Sequence, residues 1–70
     1  MTVFQATYDS RNFSFAAVGT TKTHARQALI TGLLKHAQQY NLPRDWFERG
    51  DIDVREYRIG STYRDGGEIL

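Results

Sequence analysis

Two histidines, His24 and His36, are the natural candidates for acid–base chemistry in this chain. Both fall within a segment of helical periodicity and are twelve residues apart. On a helix that separation is about 18 Å along the axis and about 120° around it. They therefore cannot share a proton or a metal ion. His24 reads as a solvated residue of the first turn, and His36 as a hydrogen-bonded residue at the edge of the apolar stripe. Several serines and threonines are present, but neither histidine has an obvious nucleophile and orienting acid near it in sequence.

The carboxylates offer a second possibility. Asp51 and Asp53 would lie on one side of a strand, about 7 Å apart, and with Asp65 they could face a hard cation. No loop of EF-hand form surrounds them, so they read as a charge pair protecting a strand edge. Gly66-Gly67 lacks the strand–loop–helix context and the lysine of a phosphate loop. Gly19-Thr20-Thr21-Lys22 does lead a strand into a helix, where backbone N–H groups can hold an anion; a plain helix cap is the simpler reading. With no cysteine in the chain, thiolate metal sites, disulfides and cysteine nucleophiles are excluded. No catalytic residue, metal ligand or cofactor site is assigned.

The elements that would carry these residues are clear. Residues 2–8 alternate, with Phe4, Ala6 and Tyr8 opposite Val3, Gln5 and Thr7. Residues 12–18 alternate too, with Phe13, Phe15 and Ala17 opposite Ser14, Ala16 and Val18. Period-two patterns of this composition predict strands. Asp9-Ser10-Arg11-Asn12 between them is turn chemistry, giving a hairpin with Phe4, Phe13 and Phe15 on its buried face. A helix is predicted from Thr21 to about Tyr40. Thr21 is the expected N-cap, its hydroxyl accepting from the His24 N–H. Ala25, Ala28, Leu29, Gly32, Leu33, His36 and Tyr40 form the apolar stripe, widened by Ile30, Leu34 and Ala37. Gly32 costs about 1 kcal/mol relative to Ala in mid-helix, and its place on the stripe predicts close approach to the sheet beneath a Phe ring. Asn41 suits the C-cap, and Pro43 forbids continuation.

Trp46 and Phe47 are expected to close the open end of the core. Residues 51–59 form a third strand whose parity breaks near Arg55-Glu56, by a bulge or because both faces are partly covered. The tail is expected to dock through Tyr63 and Ile69 or to fray. The order is thus β-β-α-β: an α+β fold, residues 1–70 as one domain. Its three-stranded antiparallel sheet has order 2-1-3, with the helix on one face. The other face, carrying Val3, Ala16 and Val18 among polar residues, is too apolar for free solvation. Val3, Val18, Tyr57 and Tyr63 are therefore candidate interface residues, for a homodimer or another protein.

Seventy residues hold one core and an expected net stability of about 3–5 kcal/mol. No apolar run approaches the about 20 residues a membrane span needs. The N-terminus begins in strand-like alternation rather than a leader pattern, so the expected compartment is the cytoplasm and no membrane partner is expected. Net charge is +1, which exerts no general pull on nucleic acid. Locally, Lys22, Arg26 and Lys35 lie on the helix with no acid between Lys22 and Tyr40. They form a candidate basic surface for phosphates. Arg55, Arg58 and Arg64 interleave with Tyr57 and Tyr63, which could stack on bases, although Asp51, Asp53, Glu56 and Asp65 largely cancel their field.

The aromatic hairpin, the Gly19-Thr20-Thr21 junction, the helix bearing Ala25 and Leu29, and the strand ending in Ile59-Gly60 together resemble the small HicB-like antitoxin domain. The resemblance centres on residues 3–30. The chain is similar also to short proteins carried by bacteria and their phages. The resemblance implies a binding protein that neutralises its target by occlusion, with no catalysis of its own; it carries no functional residue across. The functional expectation is a non-catalytic interaction or regulatory module, of inhibitor or antitoxin-like kind. A small nucleic-acid-binding module is the alternative.

Overall fold

The computed structural model describes residues 1–64 and 67–69. Two strands open the chain, β1 (Thr2–Asp9) and β2 (Ser14–Gly19). Their turn is tied by Ser10, whose N–H and hydroxyl both donate to the Phe13 carbonyl, at 2.8 and 3.0 Å. Helix α1 (Lys22–Tyr40) follows, then a 3₁₀ turn at Arg49–Asp51 and strand β3 (Asp53–Arg58). Two short strands, β4 (Thr62–Arg64) and β5 (Gly67–Ile69), pair with each other. The main sheet is antiparallel with order β2-β1-β3, and α1 packs on one face of it.

Local chemistry fixes both ends of α1. The Thr21 hydroxyl accepts from the His24 N–H at 3.0 Å, satisfying a donor the helix cannot. Asn41 takes the left-handed conformation, φ 56°, and its N–H donates to the Ala37 carbonyl. At the start of the helix, Gly19 brings β2 against the α1 backbone. A Cβ there would stand 2.6 Å from the Ala25 nitrogen, so only glycine fits.

The core lies between sheet and helix. Ala6, Ala25, Leu29, Ile30, Leu33, Phe47 and Ile52 are buried together, flanked by Phe4, Tyr8, Phe15, Ala17, Leu34, Trp46 and Val54. Phe47 and Trp46 close its end as expected, and the Trp46 indole N–H donates to the Leu33 carbonyl at 3.2 Å.

Two details correct the sequence reading, and a third decides between its two alternatives for the third strand. Gly32 is exposed, and a Cβ built on it meets nothing within 4 Å, so it does not lie beneath a Phe ring. Phe13 precedes β2 and is 45% exposed rather than buried. The parity break in the third strand is not a bulge, because β1 and β3 pair residue for residue from Thr2↔Arg58 to Thr7↔Asp53. Tyr57 instead sits on the sheet face away from the helix, beside Val3, and is half-buried by Tyr63. Asp65, Gly66 and the Ile69 side chain, on which the expected docking of the tail partly rests, lie outside the described residues.

Candidate interaction surfaces

The histidines are set apart by the helix, as their spacing requires. His24 is exposed, and its Nδ1 accepts from the Thr20 N–H at 3.2 Å. It thus helps to cap the helix start. His36 is half-buried among rings: Phe13, Phe15, Tyr40 and Trp46 have centroids 5.1, 5.0, 4.6 and 5.3 Å from its own. His36, Phe13, Tyr40 and Trp46 border an open cleft of about 540 Å³ between the hairpin turn and the end of α1. Tyr8 and Leu42 complete its apolar lining, and Asp9, Ser10 and Arg11 its polar side. Phe13, Tyr40 and Leu42 are among the chain's exposed large apolar residues, and all three lie here.

A serine, a histidine and a carboxylate therefore share one cleft. The Ser10 hydroxyl is engaged within its own turn: it donates to the Phe13 carbonyl and accepts from the Phe13 N–H at 3.1 Å. Its proton is directed at the turn rather than at an imidazole. Sequence reasoning missed this cleft because it assembles from the hairpin tip and the far end of α1. Only the aromatic content of residues 13–15 and 36–46 hinted at it.

Of the acidic residues, Asp53 pairs with Arg55 at 2.8 Å on the exposed sheet face. Their hydrogen bond and opposite charge raise the Arg55 guanidinium above its usual value. Asp51 belongs to the 3₁₀ turn, and both residues border a polar hollow with Asp9. Asp65 lies outside the described residues. Among the described residues, no group of three or more His, Asp or Glu side chains could hold a metal ion.

Lys22, Arg26 and Lys35 all lie on α1. One regular helix puts Lys22 and Arg26 about 40° apart, and Lys35 about 180° from Arg26. The helix therefore brings the first two together and sends the third to its other side.

The candidate interface residues divide between the two halves of the outer sheet face. Val3 and Tyr57 are register partners, and Tyr57 meets Tyr63 edge to face at 4.7 Å. Val18 stands apart on β2, opposite Gln5 and 57% exposed.

The sheet has two outer edges of different character. The Ser10–Phe13 bond sets the phase of the β1–β2 ladder: Phe15, Ala17 and Gly19 turn their backbone groups to β1, while Ser14, Ala16 and Val18 turn theirs outward. The β2 edge, Ser-Phe-Ala-Ala-Val-Gly, has no charge and no proline. By the same alternation, Val54, Glu56 and Arg58 point outward from β3, since Ile59 donates to the Met1 carbonyl. That strand carries Asp53, Arg55, Glu56 and Arg58, and its Arg58 N–H donates to the Tyr63 hydroxyl at 2.6 Å. Among the described residues, nothing pairs with the outer edge of β2.

No helix among the described residues is long and apolar enough to cross a membrane. No protein-family model, curated protein or solved structure matches the chain.

Proposed function

We propose that this chain is a small non-catalytic interaction module, regulatory or inhibitory in kind, that binds a protein partner by strand addition at β2. The observation that carries this reading is the bare edge of β2. Ser14, Ala16 and Val18 present unpaired backbone donors and acceptors, with no charge or proline to repel an incoming strand. The exposed Val18 side chain adds apolar area beside that edge. The engaged Ser10 hydroxyl and the separated histidines favour binding over catalysis.

A photoreactive residue in place of Ser14, compared with one in place of Glu56, tests the reading in the cell of origin. Adducts are expected from position 14 in clear excess. Equal yields, or none from position 14, would overturn it.

The second reading, nucleic-acid binding, rests on Lys22 and Arg26 sharing one side of a helix that carries no acid. It requires salt-dependent binding to random DNA or RNA that is lost in the double variant Lys22→Glu/Arg26→Glu. Absence of binding at low salt removes it.

A further inference from the structure

The geometry points to a second copy of this chain as the strand that adds to β2, an inference that rests on the proposed mode of binding. We infer a two-fold dimer in which β2 pairs antiparallel with its counterpart, joining two three-stranded sheets into one. Three features of the molecule lead there.

The first is register. A two-fold axis normal to the sheet at Ala16 pairs Ser14 with the other copy's Val18 and Ala16 with its equivalent. This register uses all three outward-pointing residues as hydrogen-bonded pairs. It also keeps both core faces on the same side, because directly opposed residues share a face.

The second is charge. In a two-fold pairing the residue on the axis meets its own copy, so a charge there meets like charge. The β2 edge has none to bring. The equivalent pairing of β3, centred on Glu56, would oppose that carboxylate to its own copy, and bonding through the Arg58 N–H would have to displace the Tyr63 hydroxyl.

The third is Gly32. Mid-helix glycine disfavours the helix, and among the described residues nothing lies within 4 Å of a Cβ built there. It lies seven residues after Ala25, which backs onto Gly19, and four before His36, which meets Phe15. Gly32 is therefore on the β2 flank of α1, within about 40° of both. Ala28, one turn earlier, lies within about 40° of Gly32, and Lys35, about 60° from it, borders the same flank. Helix α1 lies chiefly over β2 and β1. With strands about 4.8 Å apart, a helix over that pair would run about 10 Å from its counterpart across the dyad. That is the spacing of packed helices, and small residues at the contact favour it. In the dimer, the open side of Gly32 becomes the place where the second helix fits.

Sedimentation equilibrium of the full chain over a wide concentration range tests the inference, with circular dichroism to verify folding. The wild-type chain is expected to move from monomer to dimer as concentration rises. Ala16→Pro removes an outward N–H without touching the β1 ladder, and should weaken the dimer at least tenfold; Val18→Lys should do the same. Gly32→Gln is the sharpest variant: it should raise the monomer's melting temperature while weakening the dimer at least tenfold. A wild-type chain that stays monomeric at millimolar concentration would overturn the dimer. So would a dimer unaffected by all three substitutions. Position-14 adducts with a different protein, and none of twice the chain mass, would also overturn the dimer yet leave strand addition at β2 standing.

Discussion

The two edges of this sheet are built from strands of equal length, yet they treat an approaching strand in opposite ways. β3 presents Asp53, Arg55, Glu56 and Arg58, and the β4–β5 hairpin places the Tyr63 hydroxyl on one of its outward N–H groups. β2 presents serine, alanine, valine and glycine around one Phe, and among the described residues nothing pairs with its outward groups. Charge and cover by a neighbouring segment are ordinary means by which an edge is closed to pairing. That they occur on one edge and not on the other separates a closed side of the molecule from an open one.

The comparison is first tested where both edges should fail together. Leu33 is fully buried in the core beneath the sheet. Leu33→Ala should cost about 2–5 kcal/mol, close to the whole stability of a chain this short. Urea denaturation should show it, and amides on β2 and β3 should lose hydrogen-exchange protection alike. Unequal loss would mean the edges belong to separate cooperative units. Gly19→Ala is expected to be more selective. The new methyl meets backbone at Ala25, which has no rotamer to yield. A loss of about 1–3 kcal/mol should follow, with protection lost first at the end of β2.

Gly32→Ala should act in the other direction. The site is open and the helix gains about 1 kcal/mol. Measured on dilute protein, the gain should appear as an increased denaturation midpoint with an unchanged slope. An Ala that destabilises the dilute chain would show that the flank is already occupied within one copy.

How much of this was legible in the sequence depended on range. The ends of α1 were readable because each depends on neighbours: the Thr21 hydroxyl and the His24 N–H, or Asn41 just ahead of Pro43. Strand order followed from the β-β-α-β sequence of elements. Gly32 was misplaced because helical periodicity gives a stripe and not its margins; the glycine lies on the flank, where periodicity alone cannot separate buried from open. The charges Lys22, Arg26 and Lys35 read as one basic group, although nine residues of helix turn Lys35 away from Arg26. The aromatic cleft at His36 and the Tyr63 cap on β3 join residues from different elements, and only folding brings them together. The odd parity of Tyr57 was a true signal. It marked the place where a later tyrosine covers the outer face.

That tyrosine offers the finest test of the two edges. Tyr63→Phe keeps the ring against Tyr57 and removes only the oxygen that accepts from the Arg58 N–H. The donor lies at an exposed edge, so water can replace the lost acceptor, and the cost should be about 0.5–1 kcal/mol. The Arg58 amide should exchange faster, while those of Ser14, Ala16 and Val18 stay as they were. If the hydroxyl is the main guard of β3, the variant should also self-associate more than the wild-type chain, and the excess should survive Ala16→Pro. If the charges are the main guard, association should not change, because Asp53, Arg55, Glu56 and Arg58 remain in place. The two outcomes assign the closure of β3 to one device or the other, and in either case they measure what β2 lacks.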